Sequence, residues 1–240
     1  MSGLVEGLRI IKTPDEMKIM RKATVMADRC LAELVKTLHV GISEDEVEWN
    51  LLSIARKLGA DGFSFPPIIC FGKNTADVHH IKEPNKLKIG EAVLIDMGIA
   101  YKGYMTDMTR TFYTAKPTHI EQKIYSTVLE ANSRAIAAIK VGMTTGQIDK
   151  IARDIIEKAG YGKYFGHSTG LGVGLEVHEA PTVSSKAAEV IRPGMVFTVE
   201  PGIYLNDTGG VRIEDMVYIN AKGGVELMTK SPKSLRVLAL

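Results

Sequence analysis

The sequence is poor in cysteine: it contains only Cys30 and Cys70 in 240 residues. Two cysteines cannot form the framework of several disulfides typical of small secreted domains, which favours a reducing compartment. The N-terminal segment lacks an apolar core of signal-peptide length, and no run of about 18 apolar residues occurs anywhere in the sequence. These absences predict a cytoplasmic protein without a membrane-spanning segment.

An excess of charge of either sign is also missing. Thirty Lys and Arg residues against 28 Asp and Glu residues give a net charge of +2, without a dense basic run. This balance gives no general attraction to nucleic acids or to anionic membranes, so we expect neither as a partner. Hydrophobic residues make up 45% of the chain, which is enough for a substantial core in one large domain or two small ones.

Three short segments recur in the same order with an offset of roughly 100 residues, as expected of a repeat. The matched pairs are EMKIM (16–20) and EQKIY (121–125), VGISEDEV (40–47) and VGMTTGQI (141–148), and KIGEAVLIDMG (88–98) and RPGMVFTVEPG (192–202). Chance similarity between amphipathic helices would explain the first pair but not the last. We therefore predict an internal duplication, with halves at about 12–115 and 116–225.

Each half shows signals for helices followed by strands. Apolar residues at spacings of three and four predict an amphipathic helix over 15–38, ended by Val40 and Gly41. The helices predicted from capping boxes run from Ser43 to about Gly59 and from Thr144 to about Gly160. The strand-like runs are 92–113, 195–204 and 210–219. This alternation predicts an α+β fold of two related halves around a shared antiparallel sheet.

Acidic residues interrupt runs that otherwise resemble buried strands. Asp96 lies within AVLIDMG, and Asp107 follows it in YMTDMTRTF. Glu200 and Glu214 take the corresponding places in the second half. The duplication would therefore bring four carboxylates from neighbouring strands to one pseudo-twofold axis. Asp215, beside Glu214, should point to the opposite side of its strand and have a structural role.

Four converging carboxylates repel one another, by about 4 kcal/mol for each pair about 4 Å apart at an effective dielectric constant near 20. Such a cluster needs protons, cationic side chains or a metal ion. Oxygen ligands suit Mn²⁺, Mg²⁺ or Co²⁺, and an added imidazole shifts the preference towards Mn, Fe, Co or Zn. The alternative is four separate acids at strand ends or in surface salt bridges. The repeat favours the metal cluster.

In combination, MTDMTRTF (105–112), VEPGIY (199–204) and VRIED (211–215) resemble the Xaa-Pro aminopeptidase and Xaa-Pro dipeptidase (prolidase) branch of the pita-bread metallopeptidases. The likeness covers residues 11 to about 220. It implies the creatinase/aminopeptidase fold, with two pseudo-twofold-related helix-helix-strand halves around a curved antiparallel sheet. It also implies a single catalytic-type domain over 1–240, without the N-terminal domain that this branch commonly carries. A divalent metal (Mn or Co, with Zn or Fe as alternatives), a peptide substrate and a homodimer are expected on the same basis.

The resemblance assigns the four acids to a two-metal site. Asp96, Asp107, Glu200 and Glu214 match the carboxylate ligands, with Asp107 and Glu214 bridging the ions. Glu200 would also act as the general base for the water that attacks the peptide. Arg212 matches a supporting arginine that offsets the local negative charge.

Three histidines match active-site positions of the family. Considered alone, a histidine near glycines is usually an ordinary polar residue, but His167 and His178 share the Gly-rich stretch FGHSTGLGVGLEVHEAP. The resemblance assigns His79, His167 and His178 to catalysis and substrate binding. His79 would hold the substrate and its developing charge, and His178 would contact the carbonyl at the scissile bond. His167 matches a further active-site histidine, whereas His80 has no match.

Leu171 departs from the family pattern, because the family has a histidine there as the fifth metal ligand. A leucine side chain cannot bind a metal ion. The resemblance assigns the missing imidazole to the ion held by Asp107, Glu200 and Glu214. The set around the other ion, Asp96, Asp107 and Glu214, stays complete. We therefore predict one well-held ion and a second ion that is weakly bound or absent.

Three functions are consistent with these residues. The first is a metal-dependent exopeptidase that cleaves before proline in a peptide or an Xaa-Pro dipeptide. Leu171 would impair this activity unless the His167 side chain turns to replace the missing metal ligand. The second is a metal-free creatinase-type hydrolase in which histidine transfers the proton, but the retention of all four acids argues against it. The third is a catalytically inactive protein that binds peptides or proteins, which Leu171 favours.

Overall fold

The computed structural model describes residues 4–240, in which three α-helices, six β-strands, two α-helices and seven β-strands follow one another. The helices are α1 (Leu4–Arg9), α2 (Pro14–Val35), α3 (Glu44–Leu58), α4 (His119–Ala138) and α5 (Thr145–Lys158). Helix α2 packs on α3, and α4 packs on α5. The two helix pairs lie in the first and the second half of the chain, and each is followed by strands.

Capping boxes begin the four long helices. In each box the hydroxyl of a Ser or Thr accepts a hydrogen bond from the amide three residues later, and the Glu or Gln at that position bonds back to the cap. The helix starts predicted at Ser43 and Thr144 are confirmed. Helix α3 ends at Gly59, whose φ of 94° is a left-handed conformation that favours glycine.

The first long helix is shorter than predicted. It ends at Val35 rather than Leu38. The amide and the hydroxyl of Thr37 both donate to the carbonyl of Leu34, at 2.9 and 2.8 Å, and this tight turn replaces the next turn of helix. The apolar spacing continues past the helix because Leu38 is still buried, although its backbone has left the helical path.

The strands are short, and five of the thirteen contain only buried residues. They are β1 (Gly62–Phe63), β2 (Ile68–Phe71), β3 (Ala92–Met97), β4 (Ile99–Tyr101), β5 (Tyr104–Met105), β6 (Met108–Tyr113), β7 (Gly170–Gly172), β8 (Glu179–Val183), β9 (Val196–Val199), β10 (Gly202–Leu205), β11 (Gly209–Arg212), β12 (Asp215–Ile219) and β13 (Val225–Leu227). Strands β3, β6 and β12 are buried on both faces, which explains why the sequence shows continuous apolar runs at these strands rather than strict alternation.

All pairings between these strands are antiparallel, which confirms the predicted α+β class. A three-stranded sheet has the order β2-β3-β6, and a five-stranded sheet has the order β13-β12-β9-β7-β8. Strand β6 of the first sheet accepts a hydrogen bond at the carbonyl of Thr109 from the amide of Glu214 (3.1 Å), just before β12 of the second sheet. It also donates one from the hydroxyl of Thr111 to the carbonyl of Arg212 in β11 (3.0 Å). The smaller groups are β1-β4-β5 and the hairpin β10-β11.

Each predicted strand run is interrupted. The run 92–113 breaks at Gly98, where a Cβ atom would lie 1.9 Å from the carbonyl oxygen of Thr106, and it breaks again before β5 and between β5 and β6. The runs 195–204 and 210–219 break between β9 and β10 and between β11 and β12. Three of the four acids singled out in the sequence, Asp107, Glu200 and Glu214, lie in such breaks. Three of the interruptions therefore contain one of the acids, whereas Asp96 lies within β3.

Two large apolar clusters form the core, one for each helix pair. Both cysteines are buried and free. Burial raises the pKa of Cys30 to about 11 and raises that of Cys70 as well, so both thiols are packing groups rather than nucleophiles. Within residues 4–240, no helix is both long and apolar enough to cross a membrane.

Candidate active site

Three acids from different parts of the chain converge where the two sheets meet. Asp96 lies in β3, Asp107 lies between β5 and β6, and Glu214 lies between β11 and β12. Each offers a carboxylate oxygen, and these oxygens lie within 4.8 Å of one another. The two halves of the sequence therefore contribute acids to one site.

Glu200 lies beside this group rather than inside it. It lines the same cavity of about 290 Å³ as Asp96, Asp107 and Glu214, and it is partly buried. The hydroxyl of Thr198 lies 3.3 Å from Glu200 Oε1 and orients this carboxylate. Glu200 is thus the most accessible of the four acids.

The acids strongly perturb one another. Burial, followed by the charges of Glu214, Asp96 and Glu200, raises the pKa of Asp107 well above its usual range. Burial, followed by the charges of Glu200 and Asp96, raises the pKa of Glu214 well above its usual range. Burial also raises the pKa of Glu200 to about 7, even though Arg212 acts to lower it. Without a cation, the cluster retains protons at pH values where isolated carboxyl groups are ionised.

The carboxylates are only half satisfied by the protein. Asp96 Oδ2 accepts a bond from Arg212 at 2.6 Å, and Glu214 Oε2 accepts one from the hydroxyl of Thr109 at 2.7 Å. The other oxygens, Asp96 Oδ1 and Glu214 Oε1, are buried without a hydrogen-bond partner among residues 4–240. Buried polar atoms are normally bonded, and hard divalent ions prefer carboxylate oxygens. This donor set fits a divalent metal ion.

Arg212 connects the acids to His167 through Tyr204. Its guanidinium donates to Asp96 Oδ2 and, at 3.0 Å, to the hydroxyl of Tyr204. The Tyr204 hydroxyl lies 2.8 Å from His167 Nε2, and His167 Nδ1 lies 2.8 Å from the carbonyl of Ser168. A carbonyl only accepts, so Nδ1 carries the proton and Nε2 accepts from Tyr204. Burial, with the charge of Arg212, lowers the pKa of His167 to about 4, so this imidazole is neutral.

His167 therefore does not stand in for the missing metal ligand in this structure. Both of its ring nitrogens are used by Tyr204 and by the Ser168 carbonyl. The sequence analysis did not single out Tyr204, although it lies in the segment VEPGIY that carried the family resemblance. No local spacing marked it, because its partners Arg212 and His167 lie on other elements.

Leu171 lines the cavity that holds the four acids. Its strand, β7, lies tightly against β9, because a Cβ atom on Gly170 would lie 2.0 Å from the carbonyl oxygen of Thr198. The amide of Leu171 donates to the Thr198 hydroxyl at 3.1 Å, and that hydroxyl also contacts Glu200. Position 171 therefore borders the Glu200 side of the acid cluster.

The other two predicted histidines lie at the edge of the same cavity. His79 and His178 are both exposed and line it. Phe65 and Ile68 add apolar surface beside the acids. A second cavity of about 500 Å³ shares His178 and Leu171 with the first one. The cleft thus combines acids, imidazoles and apolar side chains, as expected of a site for a small polar ligand.

A buried ion network lies behind the acid cluster. As predicted, Asp215 is not part of the cluster: it accepts bonds from Arg110 and from Lys233, each at 2.7 Å. Burial acts to raise the pKa of Asp215, but Arg110 and Lys233 hold it below its ordinary value. Arg110 also donates to the carbonyl of Glu214 at 2.5 Å. This network fixes the backbone that carries one of the acids.

We expect an Asp215→Asn substitution to lower the free energy of unfolding by about 3–5 kcal/mol, because it leaves the buried Arg110 and the partly buried Lys233 without their counter-charge. Chemical denaturation followed by circular dichroism measures the change. Asp154→Asn is the matched control, since Asp154 pairs with Lys150 at the surface of α5 and should change stability little. Equal effects of the two substitutions would contradict this assignment.

An acid cluster suited to a divalent ion, on an antiparallel α+β scaffold of paired helices, matches the pita-bread class that the sequence resembles. The chain belongs to metallopeptidase family M24, whose family model matches residues 18–221. The resemblance predicted from the sequence is thereby confirmed at the level of the family.

Relatives of known structure cover nearly the whole chain. It is 44% identical to the Xaa-Pro dipeptidase from Bacillus anthracis, with a TM-score of 0.96 over 99% of this chain and 67% of that chain. The X-Pro aminopeptidase from Thermotoga maritima MSB8 is 35% identical, with a TM-score of 0.95 over 99% of this chain and 67% of that chain. The Xaa-Pro dipeptidase of Pyrococcus furiosus is 41% identical over 235 residues, which are 98% of this chain and 67% of the relative. These likenesses confirm the pita-bread fold.

The chain spans about two thirds of the length of the curated relatives it matches. The activity of the complete relatives is therefore carried over to this chain only as a proposal.

Proposed function

We propose that this chain is a metal-dependent exopeptidase that cleaves peptides with proline after the N-terminal residue, as an Xaa-Pro aminopeptidase or dipeptidase. The observation that carries the proposal is the convergence of Asp96, Asp107 and Glu214 in a cavity that also contains Glu200 and an imidazole rim. The likeness to Xaa-Pro dipeptidases over almost the full chain supports the substrate class.

We assign the roles from the environment of each residue. When bound, the divalent ion would polarise the scissile carbonyl and activate a water molecule. Glu200, the most accessible acid, would take the proton of the attacking water. His79 and His178, at the cavity edge, would donate hydrogen bonds to the developing oxyanion and to the peptide. His167 is neutral and bonded to Tyr204, and it would form part of the substrate-binding wall.

We propose one well-held ion, on Asp96, Asp107 and Glu214. These residues form the compact group in which the oxygens lie within 4.8 Å. A second ion beside Glu200 would be weakly held, because Leu171 offers no ligand there. Mn²⁺ or Co²⁺ fits the oxygen-rich donor set, with Zn²⁺ or Fe²⁺ as alternatives.

The proposal is tested by metal analysis of the dialysed protein, followed by hydrolysis assays on Xaa-Pro dipeptides and on longer Xaa-Pro peptides with added Mn²⁺ or Co²⁺. We expect about one retained ion per chain and a slow, metal-stimulated release of the residue before proline. Peptides with alanine in place of proline are the control. Absence of both bound metal and hydrolysis would rule out the proposed activity.

Leu171 favours one second candidate, a catalytically inactive protein that binds peptides in the same cleft. That function requires the same peptides to bind, measured by calorimetry, without turnover at any metal concentration. A metal-free hydrolase of the creatinase type would instead hydrolyse a substrate equally well after chelation of all metal. Peptide binding by calorimetry, together with hydrolysis measured before and after chelation, therefore separates the three functions.

We also propose that the protein is a cytoplasmic homodimer with a single catalytic-type domain built from two duplicated halves. The duplication is supported by the placement of one helix pair and two acids in each half. Light scattering of the purified chain measures the oligomeric state.

A further inference from the structure

A buried histidine–glutamate pair lies behind the edge of the cleft. His80 Nε2 is 2.8 Å from Glu44 Oε2, and the two side chains are 5% and 0% exposed. Glu44 is the first residue of α3, where the helix N-terminus favours a negative charge. The amide of Glu83 donates to the same carboxylate oxygen at 3.2 Å. The carboxylate thus bonds helix α3 to two positions of segment 77–83.

This segment carries His79, which lines the acid cavity. His79 is exposed, whereas the next residue, His80, is buried, so the two neighbouring side chains face different environments. The amide of His79 donates to Asp77 Oδ1 at 3.0 Å, a bond that shapes the turn but does not attach it to another element. Because the two residues share a peptide bond, fixing His80 in the interior fixes the backbone from which His79 projects.

The other attachment of this segment to α3 is at the surface. Lys82 forms ion pairs with Asp45 (3.0 Å) and with Glu48, and the side chains of Lys82 and Asp45 are 33% and 64% exposed. Surface ion pairs contribute little to stability, whereas a charge-assisted hydrogen bond in the interior is strong. The second oxygen of Glu44, Oε1, is buried without a hydrogen-bond partner among residues 4–240. Removing His80 would therefore leave a poorly compensated buried carboxylate.

We propose that His80 and Glu44 are positioning residues that hold His79 at the edge of the cleft in a geometry suited to the peptide. The inference deepens the proposed peptidase function and rests on it. His80 itself touches Glu44 rather than the acid cavity, and it acts on the reaction only through His79.

The test combines kinetics with hydrogen exchange on the full chain. We expect His80→Leu to lower kcat/KM for Xaa-Pro peptides about tenfold, mainly through kcat, with unchanged metal content. His80→Gln, which keeps a side-chain donor, should recover most of the activity. In a His79→Ala background, His80→Leu should have almost no further effect, because the two residues act through one group. Lys82→Met, the matched control on the same segment, should keep the parental activity.

An equal tenfold loss from His80→Leu with and without His79 would overturn the proposal, because it would show a general structural effect. Amide exchange of peptides covering 77–83, measured by mass spectrometry, gives an independent answer. Exchange should be about tenfold faster in His80→Leu than in Lys82→Met if the buried pair holds the segment. Unchanged exchange would also overturn the proposal. If the parental chain does not hydrolyse peptides, the proposed function fails, and the exchange result alone decides whether His80 and Glu44 hold the segment.

Discussion

A Leu171→His variant is expected to bind a second divalent ion and to hydrolyse Xaa-Pro peptides at least about tenfold faster than the parental chain. Leu171 lines the cavity that contains Asp107, Glu200 and Glu214. Its amide is bonded to Thr198, whose hydroxyl in turn contacts Glu200. An imidazole at position 171 would supply the nitrogen ligand that the Glu200 side of the cluster lacks.

Metal content after dialysis, measured by plasma mass spectrometry, and kcat at saturating Mn²⁺ check this prediction. We expect the retained metal to rise from about one to about two ions per chain. Leu175→His is the matched control, because Leu175 is an exposed leucine in the same Gly-rich stretch. A Leu171→His protein that folds normally but gains neither metal nor activity would show that position 171 does not face the ions.

The second large effect is expected from Glu214→Gln, which removes one acid from the compact group of three. Metal retention should be lost, and peptide hydrolysis should fall by more than about 100-fold, because Glu214 has a carboxylate oxygen within 4.8 Å of those of Asp96 and Asp107. The folded state should survive, since Thr109 can still donate to the amide oxygen. Calorimetric metal titration and peptide assays measure the two losses.

The same variant tests the electrostatics of the metal-free chain. The pKa of Glu200 is raised to about 7 from an ordinary value of 4.5, mainly by burial. Between these two pH values the folded chain binds more protons than the unfolded chain, so its stability falls as the pH rises. Burial and the neighbouring acids also raise the pKa of Glu214, so the decline should be shallower in Glu214→Gln.

Thermal unfolding in a chelating buffer from pH 4.5 to 7 checks the sign. Asp154→Asn, with a change at the surface of α5, should keep the parental slope. If the stability of the metal-free parental chain rises with pH instead, the raised pKa values of Glu200 and Glu214 are contradicted. Added Mn²⁺ should reverse the trend, because the ion binds the deprotonated carboxylates and its affinity rises with pH.

Much of the fold could be predicted from local chemistry. The capping boxes at Ser43 and Thr144 predicted helix starts correctly, since a cap depends on residues three positions apart. The breaks within the strand runs were not predicted. They arise where distant segments approach closely, as at Gly98 against Thr106, or where the chain turns between sheets. Apolar periodicity also placed the end of the first long helix too late, because Leu38 is buried without being helical.

The candidate site shows the same division. The sequence marked Asp96, Asp107, Glu200 and Glu214 because acids are unusual in apolar runs and because the repeat related them. It could not distinguish the compact group of three from Glu200 beside it. It also missed Tyr204, which has no local signature.

The sequence by itself determined the starts of helices α3 and α5, the class of fold, the family and the set of acids, because these follow from short-range patterns and from a likeness that spans the chain. Only the tertiary structure decided how those groups are used. It bonded His167 to Tyr204 instead of leaving it free to replace the missing ligand, and it buried His80 against Glu44. The physical reason is that hydrogen bonds and desolvation depend on which distant residues the packed sheets bring within about 3 Å of each other, and no spacing along the chain encodes that distance.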